Sequence, residues 1–80
     1  MSDEISEAEW LDIFADNLVD ILRDARMSQR DLADAIGVTE STISRYIHKQ
    51  QIPTLKNIIN MSYELNISVS DLIDFGSKVF

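Results

Sequence analysis

At 80 residues the chain has room for one small folded unit, and with 45% hydrophobic and 26% charged residues its composition is that of an ordinary globular domain. No stretch approaches the about 18 consecutive apolar residues that span a bilayer, so no membrane partner is expected, and a chain without cysteine has no disulfide or thiolate chemistry. The formal net charge of −7 opposes nucleic-acid binding if read as a total, because phosphate affinity comes from lysine and arginine displacing counterions.

The distribution of charge changes that reading. Residues 1–25 carry eight acids and one base, residues 26–56 five bases and three acids, and residues 57–80 three acids and one base, giving −7, +2 and −2. Only the middle third is basic. Met1 to Glu9 is acidic and lacks the basic start and apolar run of a secretion signal, so a cytoplasmic location is expected.

One local device recurs five times: an apolar residue, then serine or threonine, then an apolar residue four positions after that cap. The instances are Ile5-Ser6-Trp10, Met27-Ser28-Leu32, Val38-Thr39-Ile43, Pro53-Thr54-Ile58 and Ile67-Ser68-Leu72. Each has the form of a hydrophobic staple around a helix N-cap. Glu9, Asp31 and Asp71 add an acid at the third helical position, which completes a capping box in three of them.

Five helices follow in chain order. The first is predicted over about residues 7–25, with Trp10, Phe14, Leu18, Ile21, Leu22 and Ala25 as its apolar stripe. The second, 29–36, is expected to bury Leu32, Ala33 and Ile36 and to stop at Gly37, which tolerates left-handed backbone. The third spans about 40–48, with Ile43, Tyr46 and Ile47 inward. The fourth, 55–65, is expected to bury Leu55, Ile58, Ser62 and Leu65, and a short fifth runs over 69–75. No segment alternates as a strand would, so the fold class is all-α, in one domain covering residues 1–80.

Two short helices joined by a tight glycine-containing turn, the second exposing small polar residues, are what a reader of the DNA major groove requires. Residues 28–46, SQRDLADAIGVTESTISRY, supply both. This stretch resembles the phage repressor and Cro family of helix-turn-helix domains. Leucine-alanine in the second helix, glycine-valine-threonine at the turn and isoleucine-serine-arginine-tyrosine in the third occur together at that family's spacing, and the likeness extends over about residues 14–75. The implied architecture is a compact five-helix, lambda-repressor-like domain. The implied activity is sequence-specific regulation of transcription, as a repressor, with the third helix in the major groove of double-stranded DNA and with a homodimer binding two half-sites.

The resemblance also assigns residues. Gln29 matches a glutamine that contacts phosphate and braces the recognition helix, and Thr39 caps that helix facing a phosphate. Glu40, Ser41, Ser44 and Arg45 match the base-reading positions, and the Arg45 guanidinium suits both guanine acceptors. Glu40 either accepts from a cytosine or adenine amino group or is a favourable charge at a helix N-terminus. Arg30, Thr42, His48, Lys49 and Lys56 complete the expected phosphate contacts. Two departures stand out. The family often pairs an arginine in the first helix with a glutamate late in the third, and here the matching residues are Leu22 and Ile47, which are expected to pack on each other. Where the family commonly has glycine after the third helix this chain has Lys49, which must then adopt left-handed geometry or end the helix differently.

Plainer readings stand beside these. Gln29, Ser41, Ser44 and Arg45 are otherwise an ordinary polar face, and Arg26, Arg30, Lys49 and Lys56 are otherwise solvated charges. His48 has no second metal ligand nearby, so neither metal nor cofactor is implied. Asp12, Asp16, Asp20 and Asp24 recur every four residues along the first helix as a solvent face, or as a surface that docks a protein such as RNA polymerase. On that second view the chain is an antitoxin-like or polymerase-binding module working through its acidic helix. Trp10, Ile13 and Val19, with Phe75, Val79 and Phe80, are apolar surface beyond the main stripe, part of it expected to fill the core and the rest open to a dimer seam. Nothing in the sequence supports catalysis: there is no cysteine, histidine-containing constellation or glycine-rich phosphate loop.

Overall fold

The computed structural model describes residues 4–73. It contains α1 (Glu7–Ala25), α2 (Gln29–Ile36), α3 (Glu40–Ile47), α4 (Leu55–Leu65) and α5 (Val69–Leu72), with no strand among the described residues. Every helix starts where the serine and threonine pattern placed it. Ser6, Ser28, Thr39, Thr54 and Ser68 have extended backbone, and each accepts a hydrogen bond from the amide three residues on, at 3.0–3.2 Å. The capping boxes at Ser6, Ser28 and Ser68 are complete. A cap of this kind is worth about 1 kcal/mol, which matters in a chain too short for a large core.

The helices also stop by one device. After α1, α2, α3 and α4 a residue turns left-handed: Arg26 at φ 55°, Gly37 at 77°, Lys49 at 63° and Asn66 at 55°. In each case the next amide reaches back five residues, from Met27 to Leu22, Val38 to Ala33, Gln50 to Arg45 and Ile67 to Ser62, at 2.8–3.0 Å. This closes the carbonyls that a helix end leaves open. Only one of the four is glycine, so Arg26 and Lys49 hold a conformation that costs an ordinary side chain about 1 kcal/mol. α3 reaches Ile47, with His48 its C-cap, one residue short of expectation. α5 is described to Leu72 with Ile73 as its cap, and Asp74 and Phe75 lie outside the described residues.

The core joins all five helices through Phe14, Leu18, Leu22, Leu32, Ala33, Ile43, Tyr46, Ile58, Met61 and Leu72. Trp10 stacks on Phe14 with centroids 5.2 Å apart, and Phe14 meets the edge of Tyr46 at 6.2 Å. Asn17 Nδ2 donates to the Leu72 carbonyl at 3.0 Å and ties α1 to α5.

Two expectations about burial are corrected, and one alternative left open is decided. Leu55 is exposed, not buried: it lies on the side of α4 that also carries the exposed Ile59 and Tyr63, and the inward face is Ile58, Met61 and Ser62 instead. Ile13 is buried, the core-filling alternative for that residue, and offers no surface to a seam; Leu11 and Ala15 are buried as well. Ala25, at the last helical residue before the turn, is exposed. Among the described residues no helix is long and apolar enough to cross a membrane.

Candidate nucleic-acid interface

α3 is two turns long, and its position is fixed from inside. Ile43 and Tyr46 are fully buried, and Ile47 packs on the same core. Tyr46 is the largest wholly buried side chain, and its hydroxyl accepts a hydrogen bond from Asn57 Nδ2 of α4 at 2.9 Å. A buried phenol with its oxygen satisfied holds the helix in rotation as well as in place. α2 is the main neighbour of α3, through Leu32 and Ala33.

Helical spacing decides what faces out. With Ile43, Tyr46 and Ile47 inward, Ser41, Ser44, Arg45 and His48 fall at i, i+3, i+4 and i+7 on the opposite side. Ser41, Arg45 and His48 are exposed, and Ser44 is half-buried. Glu40 is exposed on the flank of the first turn. His48 Nδ1 lies 2.8 Å from the Ser44 carbonyl and 3.2 Å from its hydroxyl. A carbonyl can only accept, so the Nδ1 nitrogen is the donor in this contact.

The N-terminus of α3 is held by its own hydroxyls. Thr39 Oγ1 accepts from the Thr42 amide at 3.2 Å and lies 3.0 Å from Thr42 Oγ1. Both threonines are therefore engaged within the cap. Gln29, half-buried at the first residue of α2, lines a shallow groove with Val19, Leu22, Met27, Ser28 and Ile47. Leu22 and Ile47 thus line the same groove at the α1–α3 junction. Arg30 and Lys56 are exposed in the first turns of α2 and α4.

Lys49 has a partner that no local pattern reveals. Its ammonium pairs with Asp12 of α1, 37 residues away in sequence. That hydrogen bond to Asp12, with the charges of Asp12 and Asp16, holds its pKa above the ordinary lysine value. The left-handed turn after α3 is therefore tied to the acidic face of α1. On α2, the Ser28 backbone amide and hydroxyl hold the Asp31 carboxyl below its usual range. Within the acidic row Asp20 pairs with Arg23 at 2.6 Å. Among the described residues no three acidic or histidine side chains are grouped to hold a metal ion.

A capped helix, a tight glycine turn and a second helix with a wholly buried inner face and a polar outer one define the class. Residues 20–72 match the family model described as Helix-turn-helix, and the chain belongs to that family. It is 29% identical over 70 residues to YqaE of Bacillus subtilis (strain 168), an uncharacterized HTH-type transcriptional regulator, with 85% of this chain aligned. The chain spans about 60% of the length of that relative. It also superimposes on a solution structure of LexA from Eubacterium rectale, an SOS-response transcriptional repressor, with a TM-score of 0.78 and 26% identity over 85% of this chain and 72% of that one.

Proposed function

We propose that the chain is a DNA-binding transcriptional regulator that lays α3 in the major groove of a duplex, binds as a homodimer to two half-sites, and represses by occupying its operator. The observation that carries this reading is the outer face of α3: Ser41, Ser44, Arg45 and His48 stand together on a helix whose opposite face is locked in the core. A helix anchored so firmly needs no ordering of its backbone at the moment of binding, so only its exposed side chains have still to be fixed. The regulatory roles of the relatives agree with it.

Arg45 pairs with the O6 and N7 acceptors of a guanine, while Ser41 and Ser44 donate to or accept from neighbouring bases. Ser44 reaches a base by giving up its contact with His48, whose ring then turns to a phosphate. Glu40 selects a cytosine or adenine amino group and disfavours alternatives through repulsion. Gln29, Arg30, Thr39, Thr42, His48, Lys49 and Lys56 set the register on the backbone, and Lys49 exchanges Asp12 for a phosphate as it does so. A duplex chosen from a random pool, titrated from about 50 to 200 mM salt, tests this. Binding should fall by orders of magnitude and should weaken by about 1–3 kcal/mol in Arg45→Ala. Binding that ignores Arg45 and follows Asp16 and Asp20 would make α1 the working surface.

A further inference from the structure

α4 carries an apolar outer face that the core does not use. Leu55, Ile59 and Tyr63 recur every four residues along one side of the helix at 68%, 49% and 83% exposure, and Ile52, three residues before the helix begins, is 43% exposed. Val19 on α1 is the one further large apolar side chain comparably exposed among the described residues. A stripe of this kind on a small domain marks an interaction surface.

We infer that this stripe is the seam at which a second copy of the chain docks, through two antiparallel α4 helices related by a twofold axis near Ile59. This names the surface for the pairing proposed above and rests on that pairing. Area and charge select this occupant. The exposed surface of the stripe and Ile52 comes to about 500 Å², mostly apolar, so two copies cover at most about 1,000 Å², the lower edge for a specific interface and the size of a weak dimer. A chain of net charge −7 repels its own copies, and α1 concentrates that repulsion with six acids and one base. α4 holds one lysine and one glutamate, with no acid in its first turn. It is therefore a long helix that meets its own image without opposing charge. With Ile59 at the axis, Leu55 meets Tyr63 of the second copy, and Lys56 and the second copy's Glu64 stand on the same flank with opposite signs. An isologous contact of this kind closes at two copies. Residues 48–54 join α3 to α4, so pairing α4 holds the two α3 helices at a set separation, as half-sites about 34 Å apart require.

Sedimentation equilibrium on the full chain, without DNA, tests the seam, with thermal unfolding as a check on the fold. The wild type should dimerise. Leu55→Ser with Tyr63→Ser should weaken the dimer by about 100-fold while leaving unchanged the binding of a single half-site and the melting temperature measured at a concentration too low for pairing. Tyr63→Ser alone, at the most exposed position, serves if the double variant folds poorly, and should weaken it by about 10-fold. Added salt should tighten the dimer while it weakens DNA binding, because it screens the mutual repulsion of two acidic chains. A double variant that dimerises like the wild type overturns the seam and leaves the pairing intact. A wild type that stays monomeric at hundreds of micromolar overturns both, whether another protein or residues 74–80 then covers the stripe. A dimer broken by these variants in a chain that binds no duplex keeps the seam and removes the DNA reading.

Discussion

α3 and α4 are built alike from inside and differently from outside. Each has a serine or threonine cap, an inward face on the same core and a left-handed exit, and Tyr46 of one is hydrogen-bonded to Asn57 of the other. Outward, α3 presents hydroxyls and a guanidinium, whereas α4 presents Leu55, Ile59 and Tyr63. Burial therefore fixes where each helix sits and says nothing of what it meets. The outer side chains decide that: directional donors and acceptors suit the edges of base pairs, and apolar side chains suit another apolar face.

The comparison breaks most completely at the shared anchor. Tyr46→Ala should cost about 3–5 kcal/mol in a urea titration and disable both outer faces together, since it empties the space beside Phe14 and removes the tie to Asn57. Tyr46→Phe keeps the ring, strands Asn57 and should cost about 1 kcal/mol. The exits give effects of similar or lesser size and opposite sign. A Cβ at Gly37 meets nothing within 4 Å, so Gly37→Ala should lose about 1 kcal/mol through left-handed backbone alone. Arg26→Gly should gain about 0.5 kcal/mol by relieving the same conformation.

Lys49 sharpens the contrast without much change in stability. Lys49→Gln should leave unfolding nearly as it was, because the pair with Asp12 is exposed, while lowering the salt slope of duplex binding by about one. Its raised pKa gives stability that is complete below the ordinary lysine value and lost only as strong alkali passes the folded one, so it contributes no trend at neutral pH. Asp31 behaves in the opposite sense. Its lowered pKa gives stability present above the ordinary carboxylate value and lost as acid passes the folded one. Asp31→Asn should flatten the acid limb of a stability-against-pH curve, the smallest effect of the set.

What the sequence disclosed divides along the same line. Helix starts were legible because a serine or threonine cap and its staple are local chemistry, and all five fall where the pattern put them. The polar face of α3 was legible because Ile43, Tyr46 and Ile47 define its back by spacing. Leu55 was not, since it falls at the edge of the inward arc of α4, beside the apolar and exposed Ile59 and Tyr63, and spacing alone does not say which apolar side the core covers. The tie between Lys49 and Asp12 joins two turns that only the folded chain brings together. A left-handed Lys49 was one of two outcomes left open, as a lysine bears the strain only when the geometry around it is fixed.

The most direct test of the account is the base preference of the wild type set against Arg45→Ala, each used to select duplexes from the same random pool. The account predicts a defined site for the wild type and, for the variant, loss of preference for guanine at one base pair in each half-site with the remaining positions kept. Two identical preference profiles, or a wild type that enriches no sequence, would contradict it.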